Sequence, residues 1–227
     1  LAAAQRAQEL GFPSVAAGIY RQLLEVPGAD RPALTLALAT VLLDDGQPAE
    51  AENVLSGGEG LRGAAWHLRA GLAAMQLRKM DVARAELAAT RVEELSPADR
   101  AWASFLQGAL FDLAPVQDMT KANDYYIRAE QAATNEMARA RFKLAAEQVR
   151  LGVGNPSEAA QRVARQNYEN NKGRAVGYGF AETLAVYLHQ AGRTAEATSF
   201  LQQVLLTLLP QERAQADRFR LVLGLIA

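Results

Sequence analysis

Gly11-Phe12-Pro13-Ser14-Val15-Ala16-Ala17-Gly18-Ile19-Tyr20 holds the pattern from which the fold is read: a chain breaker, a small residue five positions on, and a bulky side chain four further. The same spacing returns as Gly46, Ala51 and Leu55, as Gly154, Ala159 and Val163, and as Gly192, Ala197 and Leu201. Ala85 and Ala122 lie on the same lattice without the glycine. Ala122 keeps its bulky follower in Tyr126, whereas Ala85 is followed by Ala89. The six alanines stand 35, 34, 37, 37 and 38 residues apart. A period in the middle thirties is that of stacked helical hairpins, each unable to bury its apolar face alone. The class of function expected of such an array is binding or scaffolding, and the pattern names no partner.

Helical periodicity runs through the chain, and no stretch sustains the alternation of β-branched residues that marks strands. The fold expected is all-α. Hydrophobic residues make up 50% of the 227, enough to bury a core. Lysine plus arginine number 24 against 25 acidic residues, which leaves a formal net charge of −1 and none of the field that nucleic-acid binders use. No nucleic acid is expected as a partner. The absence of cysteine excludes disulfides, thiolate metal ligation and thiol catalysis within this segment. Apolar runs such as Leu221 to Ala227 fall far short of the ~20 residues that cross a bilayer, and no signal peptide is visible. The chain opens on Leu1, so it is taken as part of a longer or processed chain, and the compartment, cytoplasmic or periplasmic, stays open.

Breakers divide the chain into hairpins over about 1–28, 31–60, 62–96, 97–133, 135–170 and 174–209, followed by a final helix over 211–226. In the first hairpin a helix over 1–10 breaks at Gly11 and restarts at Pro13-Ser14, since proline suits a first helical turn. The second pairs 31–45 with 47–55; its break at Asp45-Gly46 and its close at Ser56-Gly57-Gly58-Glu59-Gly60 draw on the access of glycine to the left-handed conformation. The third pairs 62–78 with 81–95. Ser96-Pro97 opens the fourth, 98–113 with 119–133, whose turn from Asp112 to Thr120 is enlarged around Pro115. Pairs over 135–152 with 156–170 and over 174–191 with 194–208 follow, and Pro210 opens the last helix. Its Leu221, Val222, Leu223, Leu225 and Ile226 make a poor solvent-facing end. Truncation of the array, or cover by another chain, is expected there.

With paired helices of similar length, a break in the middle of each unit and a small residue early in the second helix, the chain resembles the tetratricopeptide repeat family over nearly its whole length. The small residue of that family's second helix is matched by Ala16, Ala51, Ala85, Ala122, Ala159 and Ala197, and its turn glycine by Gly11, Gly46, Gly154 and Gly192. The small residue of its first helix is matched by Ala4, Ala39, Ala73 and Ala185. Met80 and Gln117 stand where the turn glycine is absent, the closing proline is matched at Pro97 with Pro27 and Pro210 one position away, and the later units lengthen. Another helical-hairpin array, of the HEAT kind, has the same broad function.

The resemblance implies a right-handed superhelical solenoid of antiparallel helix pairs, about six units plus a C-terminal helix. In that family the first helices line a concave surface on which peptides or helices dock. Carried over unit by unit, the inward positions are Leu36, Thr40 and Leu43, then Ala70, Ala74 and Leu77, then Gln107 and Phe111, then Leu144 and Gln148, and finally Glu182, Val186 and His189. A branch of the family grips a C-terminal carboxylate with paired lysines and asparagines at such positions. Those residue types are missing here, so a neutral peptide or amphipathic helix is the expected partner. The function expected is a non-enzymatic protein-interaction module or scaffold. The alternatives are a scaffold that assembles with copies of itself through its apolar ends, and a helper segment of a bacterial envelope export or assembly system.

No constellation for catalysis stands out, and neither metal nor cofactor is expected. His67 and His189 are the only histidines, and neither belongs to an HExxH pair. Gly152-Val153-Gly154-Asn155-Pro156-Ser157 lacks the GK[ST] end of a phosphate loop and fits a repeat turn better. Arg162, Arg165, Lys172 and Arg174 surround Tyr168, a setting in which an aromatic could stack a base, though the acidic neighbours Glu158 and Glu169 favour a solvated helix end. Trp66 and Trp102 fit core positions of first helices. Gly177-Tyr178-Gly179-Phe180 places two glycines at a helix start, at about 1 kcal/mol each relative to alanine, which close helix approach would offset.

Overall fold

The computed structural model describes residues 1–57, 62–151, 157–208 and 213–226. Among the described residues the chain is all-helical, with thirteen α-helices, one 3-10 turn and no strand. None of these helices is long and apolar enough to cross a membrane. In chain order they are α1 (Ala2–Glu9), α2 (Pro13–Leu24), α3 (Arg31–Asp44), α4 (Pro48–Ser56), α5 (Ala64–Gln76), α6 (Met80–Ala89), α7 (Pro97–Asp112), α8 (Met119–Ala132), α9 (Glu136–Leu151), α10 (Glu158–Asn171), α11 (Ala175–Gln190), α12 (Thr194–Leu206) and α13 (Arg213–Ile226). Two compact units divide them: Leu1–Thr134 holds α1 to α8, and Asn135–Ala227 holds α9 to α13. Gly58 to Gly60, the glycine-rich turn at Gly152 to Pro156, and Pro210 lie outside the described residues.

Local chemistry explains the helix boundaries. Pro13, Pro48 and Pro97 sit in first turns, where the missing N–H removes no intrahelical bond. Side-chain oxygens of Asp30, Ser96, Asp118 and Ser157 accept from the backbone N–H three residues on and close the N-termini of α3, α7, α8 and α10. Gly57, expected in the left-handed region, ends α4 at φ −74°. The second helix of the third hairpin stops at Ala89, short of the expected residue 95. Thr90 turns out to ψ 116°, its hydroxyl donates to the Glu86 carbonyl, and a 3-10 turn over Val92–Glu94 delivers Leu95 to the core.

In four hairpins a left-handed turn precedes the second helix by a constant interval and goes with the same buried face. Gly11, Gly46 and Gly192 take φ of 79°, 70° and 77°, and the alanines five residues later, Ala16, Ala51 and Ala197, are all fully buried. The third hairpin corrects the expected lattice. Ala85 is exposed, and Ala83 is the fully buried residue. Counting back five from Ala83 leads to Arg78, a non-glycine residue held at φ 61°, so the left-handed turn exists there without its glycine. The bulky follower of Ala83 is Leu87, which removes the anomaly of Ala89. A shift of two positions turns a helical side chain through about 200° and onto the opposite face. In α10, likewise, Ala159 is exposed and Val163 half-exposed, while Ala164 and Tyr168 are buried.

Glycine and alanine allow the helices to cross closely. A Cβ on Gly71 of α5 would stand 2.8 Å from a Leu106 methyl and 3.6 Å from the Ala83 carbonyl oxygen; one on Gly108 of α7 would stand 2.8 Å from the Tyr126 ring and 3.2 Å from the Ala122 carbonyl oxygen. Gly177 and Gly179 serve the same end in the second unit. A Cβ would come within 2.1 Å of the Asn171 carbonyl oxygen at the first and 2.3 Å of a Leu144 methyl at the second. In the first unit α5 packs on α3, α4, α6 and α7, and in the second α11 packs on α9, α10, α12 and α13.

Two substitution pairs test this register. Ala83→Leu is expected to lower stability by about 1–3 kcal/mol through overpacking, whereas Ala85→Leu changes it by roughly 0.5 kcal/mol or less; denaturant titration of both variants makes the check. Arg78→Gly is expected to be more stable than Arg78→Ala by about 1 kcal/mol, since both remove the charge and only glycine accepts the left-handed backbone without strain. Equal unfolding midpoints for that pair would contradict the turn geometry.

Candidate interaction cleft

In the first unit a cleft of about 430 Å³ opens between α6 and α7, closed at one end by the turn after α7. Leu87 and Ala88 form one wall, Gln107, Leu110 and Phe111 the other, and Ala114 with Val116 the end; Arg84 stands at the rim. Val116 is 88% exposed, so its side chain is held in water beside an apolar slot. The turn that presents it is fixed by hydrogen bonds: the Asp118 N–H donates to the Phe111 carbonyl at 3.2 Å, and the Gln117 amide donates to the Asp112 carbonyl at 2.7 Å. Phe111 is stacked on Tyr125 with ring centroids 5.8 Å apart, and the Lys121 ammonium lies 5.3 Å from the Phe111 ring. The cleft thus combines apolar surface with the Gln107 amide, and the cations beside it are ion-paired, Arg84 with Asp81 and Lys121 with Asp118, each at 3.0 Å.

Gln107 and Phe111 thus share one cleft. Leu36, Thr40 and Ala70 are half-buried on neighbouring α3 and α5, while Leu43 and Ala74 are buried at 7% and 1% exposure and serve packing. Leu77 is half-buried at the end of α5. Thr40 is tied down: its hydroxyl donates to the Leu36 carbonyl at 2.8 Å and accepts from Arg69 Nε at 3.1 Å. Arg69 reaches on to Asp99 of α7 at 2.9 Å, with both side chains at 16% exposure. One guanidinium therefore joins α3, α5 and α7. Neither Arg69 nor Asp99 is conspicuous in the sequence, because the pair joins residues thirty positions apart.

The second unit places its positions differently. Leu144 fills the notch left by Gly179, so it belongs to the packing between α9 and α11. Gln148 is exposed, and Val186 is half-buried. Glu182 is 6% exposed and meets Arg218 at 2.7 Å and the Gln215 amide at 3.0 Å, both from α13. Burial pushes its carboxyl above the usual range, against the opposing pull of those two partners. Its burial removes it from any open surface of this unit. His189 Nδ1 lies 3.0 Å from the Thr194 hydroxyl, and His67 Nδ1 lies 2.8 Å from Glu86 Oε2.

Other singled-out residues also have packing partners. Trp66 is 8% exposed and donates to the Leu55 carbonyl at 3.2 Å, and Trp102 meets Phe105 edge to face. Tyr168 is 5% exposed and packs edge-on against Phe200, which leaves no open ring for a base. Arg165 pairs with Glu196 and Lys172 with Glu169. Among the described residues no three His, Asp or Glu side chains gather as a metal site. No protein-family model, curated protein or solved structure matches the chain.

Asp112, beside Phe111, accepts from the Tyr126 hydroxyl at 3.1 Å. Burial raises its carboxyl pKa, while Tyr126 and the charge of Arg78 oppose the rise; Tyr126 is itself driven upward by burial and by Asp112. A raised native carboxyl pKa means that the folded state holds more protons between the unfolded and folded values. Stability then falls as pH rises through that window and is level above it. Asp112→Asn keeps an acceptor for Tyr126 and is expected to raise the thermal midpoint most at neutral pH, with the advantage shrinking on the acid side toward pH 4. A constant difference across that range would show that Asp112 does not titrate abnormally.

Proposed function

We propose that the chain is a non-enzymatic protein-interaction module built from helical hairpins of the tetratricopeptide kind, with the cleft between α6 and α7 receiving an apolar anchor of a bound peptide or helix. The observation that carries this reading is the cleft itself. It is an open slot of about 430 Å³ whose walls combine Leu87, Leu110 and Phe111 with the amide of Gln107. Such a site offers an apolar pocket and one oriented polar group, which suits recognition of a side chain. The hairpins supply a rigid mount. Arg69 fixes α5 to α3 and α7, and the Gly71 and Gly108 crossings fix α6 and α8.

Further support comes from the recurrence of left-handed turns at Gly11, Gly46, Arg78 and Gly192, each five residues before a buried alanine. That recurrence is what a repeat array of this family requires, because one hairpin geometry must be copied for successive units to stack. The solenoid and its inner groove follow from this reading.

Selection of displayed peptides on the immobilised chain tests it, followed by titration of the enriched sequences against wild type and Val116→Asp. Enriched peptides are expected to share an apolar anchor and to bind Val116→Asp at least tenfold more weakly. Val116 is so exposed that the thermal midpoint stays unchanged. Failure to enrich any family of peptides, or binding indifferent to Val116→Asp, would overturn the assignment.

A further inference from the structure

Two ion pairs join successive second helices at matching places, Arg21 with Glu50 between α2 and α4, and Arg165 with Glu196 between α10 and α12. The intervening helices match as well. Leu38 and Leu42 of α3 stand eight and four residues before Gly46, Leu184 and Leu188 of α11 stand eight and four before Gly192, and all four leucines are buried. The hairpin scaffold is thus the same at both places, which lets the polar groups around the two pairs be compared.

Those groups differ. Ala17 and Gly18 stand four and three residues before Arg21, and Gln47, three before Glu50, turns its amide to Asp45 at 2.5 Å. The corresponding residues before Arg165 and Glu196 are Gln161, Arg162 and Arg193. With Arg165 they line an open cavity of about 230 Å³ floored by Leu184 and Leu188, and the exposed Glu158 completes its wall. Glu196 is shared: its Oε1 accepts from Arg165 at 3.0 Å and its Oε2 from Arg193 Nε at 2.8 Å. Gln161, 8% exposed, holds the other end of Arg193, its Oε1 accepting from Nη1 at 2.9 Å. A buried amide and a carboxylate therefore fix the plane of this guanidinium at the cavity wall, while donors remain on both terminal nitrogens. Arg162 makes no ion pair among the described residues, although Glu158 stands one turn before it, at a spacing where such pairs form. One balanced pair suffices between α2 and α4; here three guanidiniums meet the two carboxylates of Glu196 and Glu158, an excess of one positive charge.

We propose that this cavity binds a carboxylate of a ligand, received by Arg162 and Arg193 beside Arg165. The charge count selects that group. One negative charge neutralises the excess, whereas the dianion of a phosphate monoester would set a second charge against Glu158 and Glu196. Guanidinium suits it in shape, since parallel N–H groups meet both carboxylate oxygens. The floor of Leu184 and Leu188 receives the carbon chain behind the carboxylate. An acidic peptide side chain and a free organic acid present the same group, and the test separates them. The basic cluster that the sequence shows around Tyr168 thus acquires a site of its own, with Arg162 and Arg165 turned to this cavity and the tyrosine ring buried. The site lies within the second unit and is independent of the cleft around Phe111.

Arginine side-chain Nε–H signals of the whole chain are followed by two-dimensional NMR during titration with four probes: a leucyl-glutamate dipeptide capped at both ends, its glutamine counterpart, glutarate, and inorganic phosphate. The dipeptide is expected to shift the Arg162 and Arg193 signals saturably, with the Arg21 signal unmoved and the glutamine counterpart without effect. Tighter binding of the dipeptide than of glutarate assigns the site to a peptide, and the reverse order to a free acid. Arg162→Gln and Arg193→Gln are each expected to weaken binding about tenfold, the loss of one charge-assisted donor group. Arg162 is exposed, so its variant keeps the thermal midpoint and the test stands even where Arg193→Gln disturbs the fold. Val116→Asp is expected to bind the dipeptide normally, which separates failure here from failure of the cleft. Absence of a saturable shift with either carboxylate, an equal shift at Arg21, binding unaffected by Arg162→Gln, or tighter binding of phosphate overturns the proposal.

Discussion

Helix axes in this protein approach to distances that only hydrogen or a methyl group can occupy, and the rest of the structure follows from keeping those crossings in register. At Gly71 and Gly108 the atoms nearest to where a Cβ would stand belong to the Leu106 and Tyr126 side chains, at 2.8 Å, whereas at Gly177 the Asn171 backbone carbonyl, at 2.1 Å, makes the fit depend on backbone position. The packed ridges of two helices tolerate such an approach only when small residues coincide. A short left-handed turn provides the coincidence. It reverses the chain and fixes the phase of the second helix in one step, which is why the turn residue and the buried alanine keep a constant interval of five.

At Ala16, Ala51 and Ala197 that interval is written in glycine and the sequence discloses the fold, whereas at Gly154 and Ala159 the same spacing marks an exposed alanine. At Arg78 it is hidden, because a left-handed arginine carries no compositional mark, and an alanine-rich helix offers Ala85 as readily as Ala83. Helix ends set by proline or by an oxygen cap were legible to within a residue or two. The end at Thr90 was not, since it depends on a hydroxyl turning back to Glu86 and on Leu95 finding the core. The site divides in the same way. Gln107 and Phe111 follow from helical phase, whereas Val116 owes its position to hydrogen bonds within an irregular turn, and the Arg69–Asp99 pair to helices distant in sequence.

Polar groups repeat the register that the small residues establish. Glutamines in the last turn of α5 and of α11, Gln76 and Gln190, donate to the Leu43 and Leu151 carbonyls at the ends of α3 and α9. The Leu43 carbonyl also accepts from the Gly46 N–H at 3.3 Å, and the Gln76 amide adds a second donor from the neighbouring helix to this helix end. Between second helices, Arg21 meets Glu50 in one unit and Arg165 meets Glu196 in the other. These surface pairs contribute little stability, roughly 0–1 kcal/mol each. Their value is geometric, since a slip of one helical position would part them.

The exposed leucines of α13 differ from the scattered apolar residues that any surface carries. Val82 and Val92, at 47% and 43% exposure, stand alone, and a single exposed valine calls for no explanation. Leu221 and Leu225 lie one turn apart on either side of a glycine, and the same three residues in α5 are covered. Residue type is held constant between the two helices and only the neighbour differs.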